Sequence, residues 1–144
     1  MASVIDCKTE RVWRAITDPA ELVSWDPHVL APVDGLDRYP FRGQHARWRY
    51  QLGSVQLVMH DRPLEVDPRS RLRSRLNVGT LDYERTFTLQ GEPGGGTRLS
   101  MRLVTPNSIP LIGESVDRFD MRRMSTERVD ESLRAVQAWC EANP

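Results

Sequence analysis

Hydrophobic positions repeat with two different periods along the chain. Residues 2–6 form a short segment rich in β-branched side chains, which predicts a first strand. Apolar residues then recur at helical spacing over residues 9–17, with Thr9 as the expected N-cap. A second short helix is expected over residues 19–25, because an Asp-Pro pair bounds that segment on each side.

From residue 28 to residue 105 the pattern changes to strict alternation, interrupted by glycines and an Asp-Pro pair. Successive side chains of a strand point to opposite faces, so this segment predicts an antiparallel sheet of about six strands with one apolar face. The positions expected to face inward are Ala46, Trp48, Tyr50, Leu52, Leu72, Leu76, Val78, Leu81, Tyr83, Phe87, Leu89, Leu99, Met101 and Leu103.

Helical spacing returns over residues 110–142, which predicts a leading segment followed by one long helix. A sheet with one apolar face must be covered, and only this helix is long enough to cover it. The chain is therefore expected to form one α+β domain over residues 1–144, with the two short helices at one end of the sheet. The apolar stripe consists of Ile112, Val116, Phe119, Val129, Leu133, Val136 and Cys140, interrupted by Arg122, Arg123 and Thr126.

Charge and composition exclude several classes of function. Acidic and basic residues balance at 20 each, whereas a general nucleic-acid binder needs a basic excess. No apolar run approaches the ~20 residues of a membrane span, and the first residues lack a leader pattern, so we expect no stable membrane insertion and a cytoplasmic location. Cys7, Cys140 and the three histidines fit no metal or redox spacing, and no cofactor motif is present, so neither a metal nor a cofactor is expected.

Several short motifs occur in an order and at a spacing that match a known family. They are Val12-Trp13, Asp18, Trp25 with Pro27, Gly43, Asp67-Pro68 with Leu72, and Gly95-Gly96-Thr97-Arg98-Leu99. On these residues the chain resembles the START-like (SRPBCC) superfamily, in particular its polyketide cyclase/dehydrase branch. From this resemblance we expect a role in secondary metabolism.

The resemblance implies a helix-grip fold with an internal cavity between the curved sheet of six to seven strands and the C-terminal helix. It implies no single activity, since carriers and enzymes share this fold. The chain departs from the family at Cys7-Lys8, where an alanine-proline pair often precedes the first helix. We expect this difference to affect only the start of that helix.

Arg85 interrupts the inward-facing series of its strand. If the alternation holds, its guanidinium points into the cavity, where it needs a carboxylate, carbonyl or ligand oxygen as partner. It could hold the carboxylate or enolate of a ligand, form a buried ion pair, or extend its charged end to water at the rim.

His60 and Asp61 lie where the alternation of their strand shifts by one residue. The apolar residues Val55 and Met59 have odd residue numbers, whereas the apolar residue Val66 has an even one. A bulge must lie between, and Pro63 suits one. One of the two polar residues therefore faces inward, and the pattern does not decide which. His60 would suit an acid or base, whereas Asp61 could be the partner of Arg85; a surface polar pair is the alternative.

Tyr50, Tyr83 and Ser74 are polar residues on otherwise apolar faces. A cavity tyrosine can donate to a carbonyl and assist enolisation, although tyrosines are also common in cores. Ser74 indicates either room for a ligand or a small packing residue. The predicted ligand-binding positions are Trp48, Tyr50, Met59, Ser74, Leu76, Phe87, Met101, Phe119 and Met124.

Three functions follow as hypotheses. The first is binding of a small apolar molecule, such as a lipid, quinone or polyketide-like aromatic. The second is a metal-independent polyketide cyclase, aromatase or dehydratase, in which Arg85 polarises a carbonyl while His60 or Asp61, with Tyr83, moves protons. The third is a protein-interaction module that uses the arginine-rich outer face of the sheet. A monomer and a homodimer are both compatible with the sequence.

Overall fold

The computed structural model describes residues 1–105 and 114–144, with the side chains of the last helix described from residue 126 onward. Within these residues it has seven strands and three helices. In chain order they are β1 (Ala2–Ile5), α1 (Thr9–Thr17), α2 (Pro19–Trp25), β2 (Val29–Asp34), β3 (Ala46–Leu52), β4 (Val55–Asp67), β5 (Arg71–Val78), β6 (Leu81–Gly91), β7 (Thr97–Val104) and α3 (Glu114–Ala142).

The strands form one antiparallel sheet in the order β1-β7-β6-β5-β4-β3-β2. The α3 helix packs against β1 and β7 and against both short helices. The predicted helix-grip architecture is confirmed. The described part of the α3 stripe is buried as expected, whereas Ile112, Val116, Phe119, Met124 and the two arginines between them lie outside the described side chains. The buried members are Val129, Leu133, Val136 and Cys140.

The two short helices close one end of the sheet. The Trp25 indole donates a 2.7 Å hydrogen bond to the carbonyl oxygen of Ala15, which fixes α2 against α1. Glu21 of α2 accepts a 2.7 Å hydrogen bond from the indole of Trp139 and thereby connects α2 to α3. The expected N-cap of α1 is wrong by one position: Lys8, whose backbone is extended, is the N-cap, and Thr9 is already helical.

A bulge in β4 decides which side chains of that strand enter the core. The pairing of β4 with β5 shifts register between Pro63 and Glu65, so the predicted bulge is present and begins after the proline. Odd-numbered positions therefore remain inward-facing as far as Pro63. Asp61 consequently points into the core and His60 points to the outer face.

The loop between β2 and β3 (residues 35–45) crosses the sheet edge and places Tyr39 in the core. Gly35 begins it with a φ of 71°, and a Cβ at that position would overlap the carbonyl oxygen of His45. The buried Gln44 side chain donates to the carbonyl oxygens of Gly35 and Asp37 at 2.8 and 3.0 Å. These contacts hold the two ends of the loop together.

Candidate functional site

Arg85 lies on the inner face of β6, as the alternation predicts, and only 7% of the residue is exposed. Its guanidinium carbon lies 4.8 Å from the centroid of the Phe87 ring. The Nε–H group of Arg85 has no hydrogen-bond partner, although it is buried. A buried charged donor without a partner is costly.

Asp61 lies on the same inner face and is 1% exposed. Its Oδ2 atom accepts hydrogen bonds from the Tyr39 hydroxyl at 2.6 Å and from the Trp48 indole at 3.1 Å, while Oδ1 has no partner. Burial raises the pKa of Asp61, and the charge of Arg85 and these hydrogen bonds oppose that rise. The two residues are therefore electrostatically linked without forming a direct ion pair.

Ser74 on β5 lies between these two groups in strand order. It is opposite Pro63 of β4 on one side and opposite Arg85 of β6 on the other. Ser74 is fully buried and its hydroxyl also has no partner.

A cavity in two chambers lies between the sheet and α3. The outer chamber has a volume of about 320 Å³, and its lining includes Gly53 and Thr105. The inner chamber has about 20 Å³ and is bounded by Asp26, Arg85 and Ser132, together with apolar side chains. Both chambers share the residues Tyr50, Tyr83, Leu103 and Arg128, which form the constriction between them.

The constriction is built from aromatic and charged side chains. The guanidinium carbon of Arg128 on α3 lies 5.0 Å from the centroid of the Tyr50 ring. The His28 ring stacks on Tyr50 at 6.1 Å, and its Nε2 atom lies 3.2 Å from a carboxylate oxygen of Glu131. Burial raises the pKa of Tyr83, while the charges of Arg85 and Arg128 lower it, so the Tyr83 hydroxyl is protonated at neutral pH.

Most of the predicted site residues meet at this cavity. Trp48, Asp61 and Ser74 are buried and line neither chamber, and Phe119 and Met124 lie outside the described side chains. The predicted residues that border the inner chamber are Tyr50, Met59, Leu76, Tyr83, Arg85, Phe87 and Met101.

His60 is separated from this group. It lies on the outer face, where its Nδ1 atom is 2.8 Å from Nε2 of His45. The sequence hypothesis that His60 supplies acid or base chemistry in the cavity is therefore wrong. The odd-numbered residues of β4 face inward as far as Asp61 and beyond, so His60 points away from Arg85.

Four residues of the site were missed by sequence reasoning. Tyr39 lies in a loop without periodicity, and Asp26 was interpreted only as the end of a helix. Arg128 and Ser132 lie beside the apolar stripe of α3, where only the packed helix shows which side of the stripe faces the cavity. The sequence signal for Arg128 and Ser132 was their spacing of four residues, which places two polar side chains on the same side of the helix.

The arginines on the outer face of the sheet are largely paired with acids. Arg73 contacts Glu65 and Glu84, and Arg75 contacts Asp82 at 2.7 Å. Such cross-strand pairs are typical of a solvated sheet face. Within residues 1–105 and 114–144, no helix has the length and apolar character to cross a bilayer. In the same part of the chain, no three His, Cys, Asp or Glu side chains come together as a set that could hold a metal ion.

The sequence profile of the family described as polyketide cyclase/dehydrase and lipid transport matches residues 1–141. The chain belongs to this family. No curated protein matches the sequence at a significant level. Membership of the polyketide cyclase/dehydrase and lipid transport family associates the cavity with small hydrophobic molecules, and it leaves transport and catalysis both open.

Solved structures similar to this family member show the same fold. A START superfamily protein from Mycobacterium smegmatis is 13% identical with a TM-score of 0.74, covering 100% of this chain and 97% of that one. A protein from Thermus thermophilus is 22% identical with a TM-score of 0.72, covering 99% and 95%. DynU16, from the dynemicin biosynthetic locus, is 20% identical with a TM-score of 0.61. It covers 93% of this chain, which spans 45% of DynU16.

Proposed function

We propose that this protein binds a small apolar molecule in the two-chamber cavity, with an oxygen atom of the ligand at the inner end. The single observation that carries the proposal is Arg85. It borders the inner chamber, is buried, and has an Nε–H group without a partner. A ligand oxygen that accepts from this group would satisfy it without moving the sheet.

The outer chamber supports the apolar part of this ligand class. Its volume of about 320 Å³ lies at the lower end of the ~300–1,000 Å³ typical of small-molecule sites. Aliphatic and aromatic side chains form much of its wall, and the rings of Tyr50 and Tyr83 present flat surfaces. These features favour a compact or planar molecule, such as a quinone or a polyketide-like aromatic, over a long lipid.

A binding experiment tests the proposal directly. N-Phenyl-1-naphthylamine, an uncharged apolar fluorophore, is expected to bind saturably with an increase in fluorescence. Leu103→Trp should abolish this signal, because residue 103 lies at the constriction and the indole would fill it. Val104→Trp is the matched control, since its exposed side chain lies outside both chambers. Equal binding by both variants would contradict the cavity as the site.

A second candidate is a polyketide cyclase or dehydratase that uses the same cavity. Tyr83 favours it, because this tyrosine lines both chambers and lies on the same strand face as Arg85. In this reaction class Arg85 would polarise a carbonyl oxygen, and the protonated Tyr83 hydroxyl would donate a proton to an oxygen of the substrate. Asp61, enclosed by Tyr39 and Trp48, would act through Arg85.

The carrier and the enzyme are distinguished by whether an Arg85 variant loses turnover or only changes its affinity. Native mass spectrometry of the protein purified from its own host identifies a bound molecule, which is then offered as substrate. Arg85→Met is expected to abolish turnover of that molecule if the protein is an enzyme. In a carrier the molecule is bound but not turned over, and folded Arg85→Met protein changes its affinity for that molecule. Arg102→Met, on the exposed face of β7, is the control for loss of an arginine.

A further inference from the structure

We infer that the inner end of the cavity selects an uncharged oxygen group, a carbonyl or hydroxyl, over a carboxylate or phosphate. Asp61 and Asp26 determine this selectivity, because their negative charges offset the positive charge of Arg85. This inference rests on the proposed function and defines the chemical class of its ligand.

Two buried carboxylates accompany Arg85 at the inner end of the cavity: Asp26 borders the inner chamber with it, and Asp61 lies on the same sheet face, two strands away. Asp61 comes from β4 and Asp26 from the end of α2, so they approach the guanidinium from the sheet side and from the helix side. Both are nearly inaccessible, with 1% and 5% of the residue exposed. Charges in such surroundings are poorly screened by water, so their fields extend to the inner chamber.

Neither Asp61 nor Asp26 accepts a hydrogen bond from the Nε–H group of Arg85, which is the donor that a ligand would use. The bonded oxygen of Asp61 accepts from Tyr39 and Trp48, and Oδ1 of Asp26 accepts from the backbone N–H of His28 at 2.9 Å. The Nε–H of Arg85 has no partner. The acids therefore offset the charge of Arg85 from a distance and leave its Nε–H group free.

An anionic ligand would meet an unfavourable balance at this point. Its charge would gain from Arg85 and Arg128, but it would also face Asp26 in the wall and Asp61 behind it. Like charges brought together in a buried site oppose binding, and the anion also loses its hydration. A ketone or hydroxyl oxygen accepts the same hydrogen bond without adding charge.

The size of the inner chamber agrees with this preference. Its volume of about 20 Å³ is near the ~10–15 Å³ needed for one water-sized group. A single ligand oxygen atom is enough to occupy such a space. The ring or chain of the ligand then lies in the outer chamber, beyond Tyr50 and Tyr83.

Three probes with one ring system test the inference: naphthalene, 2-acetylnaphthalene and 2-naphthoate, compared by calorimetry at neutral pH. Wild-type protein is expected to bind the ketone about tenfold or more tightly than the carboxylate. Asp61→Asn keeps the shape and hydrogen-bond acceptor of residue 61 and removes its charge. It should reduce this ratio by about tenfold through tighter binding of 2-naphthoate. Asp67→Asn, an exposed position of the same strand, should leave the ratio unchanged.

The outcomes separate the two proposals. If 2-naphthoate binds wild-type protein as tightly as the ketone, or if Asp61→Asn leaves the ratio unaltered, the selectivity inference is overturned while cavity binding stands. Binding of none of the three probes counts against the proposed function itself. Should Asp61→Asn fail to fold, Asp26→Asn provides the same comparison from the helix side, with the same shift expected.

Discussion

The hydroxyl of Tyr39 donates a 2.6 Å hydrogen bond to Asp61, which joins the loop between β2 and β3 to the inner face of β4. Tyr39 and Asp61 are separated by 22 positions in sequence, and both are buried. Through this contact the loop contributes to the electrostatics of Arg85.

Tyr39→Phe removes the shorter hydrogen bond to Asp61 while preserving the ring. We expect a loss of about 1.5–3 kcal/mol in the free energy of unfolding, the range for hydrogen bonds to charged groups. Urea denaturation followed by circular dichroism measures the change. Phe41→Leu, an exposed position in the same loop, should change stability by less than about 0.5 kcal/mol. A Tyr39→Phe variant as stable as wild type would show that the hydrogen bond contributes nothing.

The stability of the protein should depend on pH through Asp61. Burial raises the pKa of Asp61 in the folded state above its ordinary value, against the opposing charge of Arg85 and the hydrogen bonds from Tyr39 and Trp48. An acid whose folded-state pKa is raised contributes stability below its unfolded pKa and loses it as pH rises through the folded pKa. As pH rises from the unfolded-state pKa of Asp61 to its folded-state pKa, the free energy of unfolding of wild type should therefore fall relative to that of Asp61→Asn. The free energies of unfolding of both proteins, measured across acidic and neutral pH, check this. A constant difference would contradict it.

Arg85 and Asp61 should be energetically coupled although they form no direct ion pair. Arg85→Met leaves the buried Asp61 charge without its offset, and removal of one partner from a buried pair costs about 3–5 kcal/mol at most. The double variant with Asp61→Asn should recover about 1 kcal/mol or more of that loss. A double-mutant cycle by chemical denaturation measures the coupling energy, with Arg102→Met paired with Asp61→Asn as the uncoupled control. If the losses in free energy of unfolding from Arg85→Met and Asp61→Asn are additive, the two residues are not electrostatically coupled.

Gly35 and Gly43 give a matched test of the loop that carries Tyr39. Both have positive φ values, 71° and 88°, so alanine is strained at either position. Only at Gly35 does a Cβ also overlap backbone, because the space beside Gly43 is open. Gly35→Ala should thus lower the free energy of unfolding more than Gly43→Ala, by about 1 kcal/mol or more. Thermal or urea denaturation of the two variants compares them, and equal losses would contradict the close approach to His45.

Both cysteines should react slowly in the folded protein. Burial raises the pKa of Cys140 to about 11 and also raises the pKa of Cys7, whose thiol donates to the Cys140 carbonyl oxygen at 3.2 Å. The thiolate is the reactive form, so little is present at neutral pH. Labelling with a thiol-reactive disulfide should be slow until urea unfolds the chain, and then rapid for both residues. Fast labelling under native conditions would contradict this burial.

Alternation along the strands was sufficient to predict the sheet, its apolar face and the inward direction of Arg85. These features depend on neighbouring residues, because the two-residue period of a strand is a local property of the backbone. The helical stripe of Val129, Leu133 and Val136 was readable for the same reason, as was the bulge near Pro63, where the parity of apolar residues changes.

The choice between His60 and Asp61 required the tertiary structure, because the parity change indicates that a bulge exists and not at which residue it begins. Tyr39 could not be placed from sequence, since a loop without periodicity is positioned by its contacts with other strands. The division of the cavity into two chambers also appears only when α3 packs over the sheet and Arg128 meets Tyr50. The sequence alone therefore determined which face of each strand and helix is apolar. Only the tertiary structure decided which polar groups surround Arg85, because their proximity arises from contacts between residues distant along the chain.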